Sequence, residues 1–251
     1  MSRLFRYCYR VPLILLLLLI GLPLVYVLQM PWLAQITNKG ESLNHFAVGL
    51  FSRLLVRSVG LKVKRFGTPL PGPVLFVSNH VSWIDISIMH SQRWMCFVAK
   101  AEIESWPLVG TVAKSVGTIY LHRGNNESLH GVMHQMLSRL QDGDAIGVFP
   151  EGRTMSGREI GVFHARIFQP AVLAEKPAQP VAIKYGEKGC AQTLMAFGPK
   201  ENFMSNLLRI LGEPSRVCEL HFLEPVALGE GGRRKMADAC RQQIIEAMSV
   251  S

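Results

Sequence analysis

The sequence predicts an α/β fold: a central mixed sheet flanked by helices, with an N-terminal hydrophobic membrane anchor and an amphipathic helix. Three observations predict it. From residue 74 onward, short β-favouring apolar runs alternate with segments of helical periodicity. Several of those runs end in polar knots, and ligand sites of open α/β sheets gather beyond the carboxyl ends of strands. Ahead of them stands one long uncharged stretch. The chain divides into residues 1–40, anchor and connector, and residues 41–251, the domain that carries the knots.

In the first segment, Arg3, Arg6 and Arg10 precede the uncharged stretch from Val11 to Leu28, with leucine at every position from Leu15 to Leu19. Its length lies at the lower limit of the roughly 17–25 residues that span a bilayer. A signal peptide opens in the same way, but Tyr26-Val27-Leu28-Gln29-Met30-Pro31-Trp32 offers no small-x-small cleavage site. A retained anchor is the expectation. Gly21 and Pro23 leave a bent, re-entrant insertion open beside a full span. Lys39, Arg53 and Arg57 follow the stretch, so the positive-inside rule fixes no orientation, and both ends on the cytoplasmic face satisfy it most simply.

A helix over about Ser42 to Ser58 follows, with Leu43, Phe46, Ala47, Leu50, Phe51, Leu54 and Leu55 on one face. It either lies in the membrane interface or packs on the domain. Leu61 to Phe66 alternates like an edge strand, its lysines outward. Strands are expected at Val74–Val77, Trp94–Ala99, Gly117–Leu121, Ala145–Phe149, Pro180–Ile183 and Val217–Leu223. Between them, Leu129, Val132, Met133, Met136, Leu137 and Leu140 mark a helix over Glu127–Leu140, with Asn126 to cap it. Lys235–Met248 closes the chain as a helix.

A net charge of +9 implies an anionic partner. The apolar start favours an anionic membrane surface, and the basic residues form no aromatic-interleaved motif, so no nucleic acid is expected. Five scattered cysteines show neither a disulfide pattern nor metal-ligand spacing; no metal is expected, and a reducing, cytoplasmic domain fits. Cys96, inside an apolar run, reads as core.

The chemistry centres on the elbow after Val77. Ser82-Trp83-Ile84-Asp85 fits a capping box, with Ser82 as N-cap. On one helix, Asp85 would be rotated roughly 140° from His80. The two meet only if His80 lies before the helix and the turn folds it back. The carboxylate would then hold the imidazole in one tautomer and leave the other nitrogen as a base. Asp85 as a simple cap is the other reading. Further knots are Lys100 with Glu102, Gly117 to Arg123, and Phe149-Pro150-Glu151-Gly152-Arg153-Thr154. An arginine fork suits a phosphate, which accepts two parallel charged hydrogen bonds.

Taken in order, these knots resemble the glycerolipid acyltransferase family, most closely its 1-acylglycerol-3-phosphate O-acyltransferases. Asn79 to Asp85 matches the H-x4-D signature, Gly117 to Arg123 the G-x-I-aromatic-x-x-R block, and Phe149 to Gly152 the F-P-E-G block. Gln179 to Ile183 resembles the fourth, proline-containing block, and Lys100 to Gly110 the lysine-containing segment. The likeness covers about residues 70 to 225. It implies a membrane-bound enzyme that moves an acyl group from acyl-CoA or acyl-carrier protein, as co-substrate, to the free hydroxyl of 1-acylglycerol-3-phosphate. No bound cofactor is implied. His80 would be the base and Asp85 its orienting acid; Lys100 is a candidate for the oxyanion. Arg123, Glu151, Gly152 and Arg153 would hold the lysolipid phosphate, with Glu151 orienting an arginine or a glycerol hydroxyl rather than touching phosphate. The implied location is the inner, cytoplasmic membrane, with the catalytic domain on the cytoplasmic face. Two departures stand out. Many bacterial members read F-P-E-G-T-R, whereas here Arg153 precedes Thr154; and Arg166 stands where a glycine is frequent. Another lysolipid headgroup is therefore one alternative, and a catalytically silent protein that binds anionic membrane is the other.

Overall fold

The computed structural model describes residues 2–38, 41–122, 126–229 and 231–249. Seven strands form its main sheet: β1 Leu61–Phe66, β2 Leu75–Ser78, β3 Cys96–Lys100, β4 Ile119–Leu121, β5 Ile146–Val148, β6 Ala178–Tyr185 and β7 Arg216–Phe222. Their order is β1-β7-β6-β2-β5-β3-β4. All neighbours are parallel except β6 and β7, which are antiparallel, so the sheet is mixed. Five strands, β6 through β4, thus point their carboxyl ends to one edge. His80, Lys100, His122 and Glu151 all follow or end strands at that edge.

Burial explains the register. Leu75, Phe76 and Val77 are fully buried, as a parallel strand covered on both faces requires. Leu75 and Val77 face a core with Met136, Leu140 and Ile244 from two long helices, Asn126–Gln141 and Gly232–Ser249. Phe76 faces the opposite core, with Ile84, Ile88, Ile183 and Leu220. The strand carrying the elbow is therefore pinned from above and below.

At the N-terminus one helical rod runs from Arg3 to Leu28, 26 residues in all. A π-helical turn over Leu17–Gly21 lies just before Pro23. The wider turn accommodates the proline ring and its missing donor, so the rod continues instead of folding into a hairpin. Arg10, Ile14, Leu17, Leu22 and Val25 are buried along one side. Arg10 is fully enclosed: its guanidinium donates to the carbonyls of Leu211 (2.9 Å) and Glu213 (2.7 Å) and to Ser215 Oγ (2.9 Å). Arg6 donates to Gly212 O at 2.7 Å. These carbonyls end the helix Phe203–Gly212, which is not among the expected elements. Cations at a helix C-terminus satisfy its orphan acceptors and its dipole.

The helix Leu43–Ser58 packs along that rod. Its inward face is made of Ala47, Val48, Gly49, Ser52 and Val56, while Phe46, Leu50 and Leu54 of the expected stripe are exposed. Gly49 lets the backbone approach the His90 carbonyl of the helix Asp85–His90, whereas Phe51 packs against Gly21 of the rod. β1 is an edge strand with Lys62 and Lys64 exposed, as its alternation predicts.

Candidate active site

The elbow after β2 folds His80 back over the helix Asp85–His90. His80 Nδ1 lies 2.9 Å from Asp85 Oδ2, and that same oxygen accepts from the backbone N–H of Val81 (2.8 Å) and Ser82 (2.9 Å). With three N–H groups converging on one carboxylate oxygen, Nδ1 carries the imidazole proton and Nε2 keeps its lone pair. The imidazole stacks on Phe149, centroids 4.0 Å apart, and 17% of its side chain stays exposed. Asp85 is fully buried. Its second oxygen accepts from the hydroxyl of Tyr185, at the end of β6.

Ser82 is not the N-cap. The helix begins at Asp85 after Ile84, without a side-chain cap, and only the return half of the capping box forms: Asp85 to the Ser82 N–H. The carboxylate reaches back because His80 and Val81 offer donors beside it.

Glu151 is buried and spans two segments. Oε1 accepts from the His80 N–H at 2.9 Å and Oε2 from the Gly161 N–H at 2.8 Å. Burial raises its pKa, against the lowering effect of those two donors. Through these two bonds it ties the His80 turn to the 156–164 loop. A Cβ at Gly161 would lie 2.9 Å from Glu151 Oε2, so only glycine leaves room for this contact. Arg241 of the last helix holds the same loop from behind, donating to the Gly161 (2.7 Å) and Ile160 (2.9 Å) carbonyls.

Gly152 turns the chain with φ +69°, a conformation that favours glycine. Arg153 is exposed on the wall of a cavity of about 410 Å³ that Glu151, Gly152, Met155, Val162 and His164 also line. Lys100 is exposed at the end of β3, two strands from β2, a lateral separation of roughly 10 Å. Arg123 lies outside the described residues; His122 before it is exposed, and its N–H donates to Ser128 Oγ at 3.0 Å. The structure thus joins His80, Asp85 and Glu151 directly and leaves Lys100 and Arg153 on the rim. Arg166 is exposed in the turn Ala165–Phe168. Cys96 is buried, and burial pushes its thiol up to about 12, which removes the thiolate a nucleophile needs.

Tyr185 and Gly161 lie outside the residues that the sequence marks as site candidates. A tyrosine at the end of a strand is the available signal, since a buried hydroxyl needs a partner.

A family model described as Acyltransferase matches residues 62–184. The lyso-ornithine lipid O-acyltransferase of Pseudomonas aeruginosa is 30% identical over 190 residues, 76% of this chain and 73% of that protein. The 1-acyl-sn-glycerol-3-phosphate acyltransferase of Neisseria meningitidis is 35% identical over 146 residues, 58% of this chain and 57% of that protein. Among solved structures, the 1-acyl-sn-glycerophosphate acyltransferase from Thermotoga maritima superposes with a TM-score of 0.73. At 18% identity, and covering 99% of this chain and 97% of that one, this likeness bears on the fold.

Proposed function

This chain belongs to the acyltransferase family, as a lysolipid acyltransferase, and from that premise we propose that it makes phosphatidic acid. The acceptor in this reading is 1-acylglycerol-3-phosphate, and the donor is a thioester, acyl-CoA or acyl-carrier protein. One observation supports it above the rest: His80 Nδ1 is tied to the buried Asp85 at 2.9 Å, which leaves Nε2 as the base. Nε2 takes the proton from the acceptor hydroxyl as its oxygen attacks the thioester carbonyl. The tetrahedral oxyanion then collapses, the C–S bond breaks, and the imidazolium returns its proton to the leaving thiolate. The substrate hydroxyl replaces a serine nucleophile, and Asp85 stabilises the transient imidazolium. Lys100 is the candidate donor to the oxyanion. Arg123 and Arg153 take the acceptor phosphate, with the Gly152 turn placing Arg153 on the cavity wall.

The exposed Arg153, one position from its commoner place, and Arg166 favour a second acceptor as the alternative: a lyso-ornithine lipid, the substrate named for several relatives. A panel of lysolipid acceptors with one labelled acyl donor decides between them. Our reading expects lysophosphatidic acid to be used best. Preference for the ornithine lipid would replace that acceptor, and no turnover with any lysolipid would leave a silent membrane binder. Each charged hydrogen bond to phosphate is worth roughly 1.5–3 kcal/mol. Arg123→Ala and Arg153→Ala should therefore each raise the acceptor KM about 10- to 150-fold and leave the donor KM unchanged. Unchanged acceptor kinetics in both folded variants would remove the phosphate contact.

For localisation, we read the protein as held on the cytoplasmic face of the inner membrane by its N-terminal rod, inserted sideways into one leaflet. The rod is docked from Arg6 to Val25 on one side, while Leu16, Leu19 and Ile20 are exposed on the other. A helix tied to its domain over most of its length lies in the interface rather than across it. Replacing those three residues with asparagine leaves the docked face intact and should move the protein from salt-washed membranes into the supernatant. Full retention in the pellet would reject lateral insertion through this face.

A further inference from the structure

We propose that Tyr185 sets the basicity of His80 through Asp85, by taking up part of the carboxylate's negative charge at the oxygen that His80 does not use. The inference rests on His80 acting as the general base. It gives a role to a side chain that is fully buried and is hydrogen-bonded to Asp85 Oδ1.

The geometry fixes the phenol as part of the His80 turn. The Tyr185 N–H donates to Gln192 Oε1 at 2.6 Å, and Gln192 Nε2 donates to Ile183 O at 2.8 Å. One step ahead of His80, the Asn79 side chain accepts from the Ile183 N–H (2.8 Å) and donates to the Ile183 carbonyl (3.0 Å). The end of β6 and the elbow after β2 are thereby clamped together, with Tyr185 aimed at Asp85 from one side and His80 from the other. Tyr185 touches no reacting atom; it is a positioning residue.

The titratable groups around the pair come from three other elements. Glu151, after β5, is engaged by the backbone of His80 and Gly161. Cys218 of β7 is buried, which raises its thiol well above the ordinary value and keeps it neutral. Tyr185 of β6 is likewise raised well above its ordinary value, by burial first and the Asp85 charge second. It stays protonated and can only donate to the carboxylate. Among these groups, Tyr185 alone bonds directly to Asp85.

The direction of the effect follows. Without the phenol's hydrogen bond, Asp85 keeps more of its charge and favours the imidazolium. His80 then stays protonated to higher pH, and the acidic limb of the activity profile moves in the alkaline direction. A stronger donor at the same place moves it the other way.

The test compares the pH dependence of acyl transfer for the full-length wild type, Tyr185→Phe, and a chain with a more acidic fluorinated tyrosine at position 185. Tyr185→Phe should shift the acidic limb upward by about 0.5–1 pH unit. The fluorinated chain, which keeps the ring's shape, should shift it downward. An unmoved limb in the fluorinated chain overturns the proposal, whether Tyr185→Phe folds or not; so does a uniform loss in Tyr185→Phe at all pH values, which would assign the residue to packing alone. His80→Ala in the same assay separates the two levels. Retained activity there would refute the base itself, whereas lost activity with unmoved limbs refutes only Tyr185.

Discussion

His80→Ala should lower acyl transfer by about 10²–10⁴-fold, the usual contribution of a positioned general base. The variant should remain folded. His80 is partly exposed and its ring stacks only on Phe149, while the backbone bonds that hold the elbow do not involve the imidazole: its N–H to Glu151 and its carbonyl to the Met155 N–H. Circular dichroism and thermal melting check the fold, and single-turnover rates with a saturating lysolipid check the chemistry. Cys96→Ala is the matching control and should keep its rate. A folded His80→Ala that turns over like the wild type, with Cys96→Ala inactive, would demand an acyl-cysteine intermediate in place of direct transfer.

Asp85→Asn should be nearly as damaging, for a reason the local bonding makes specific. The amide can keep its oxygen toward the three N–H donors of His80, Val81 and Ser82, and turn its NH2 toward the Tyr185 oxygen, which can accept. Geometry and tautomer survive, while the charge that stabilises the imidazolium is lost and the Tyr185 O–H gives up its acceptor. A fall of about 10²–10⁴-fold in kcat with a modestly lowered Tm is the expected outcome. Asp85→Ala differs: it strands the buried donors of Val81, Ser82 and Tyr185, each at a cost of about 1–3 kcal/mol, and should destabilise the protein itself. If Asp85→Asn retained more than about a tenth of the wild-type rate, the carboxylate's charge would have no place in the mechanism.

What the sequence made legible was local. The strand that ends at the elbow, the need for His80 to stand before the helix, and each single block of the family signature rest on residues within a few positions of one another. The helix over Asn126–Gln141 likewise followed from its apolar spacing. What escaped was paired over long separations. Tyr185 lies 100 residues from Asp85, and Arg241 lies 80 from Gly161. The partners of Glu151 are of the same kind: two backbone N–H groups from other segments, which no sequence spacing announces. The stripe of Leu43–Ser58 is only half buried for a related reason: Phe51 and Leu55 pack inward, Phe51 against Gly21 of the rod, while Gly49 lies against the distant His90 carbonyl and turns Phe46, Leu50 and Leu54 outward.

The docking of Arg6 and Arg10 onto residues 211–213 also orders events in time. The partners are separated by 201 to 206 positions, nearly the whole chain. At roughly 5–20 residues per second, the arginines leave the ribosome roughly 10–40 s before the carbonyls that will receive them. The apolar rod is therefore complete before its C-terminal partner exists, and until then the bilayer and the helix Leu43–Ser58 are the surfaces able to take it. Attachment would precede folding, and the closing of the Phe203–Gly212 helix onto the arginines would be a late step, carried out on a chain already confined to the membrane plane.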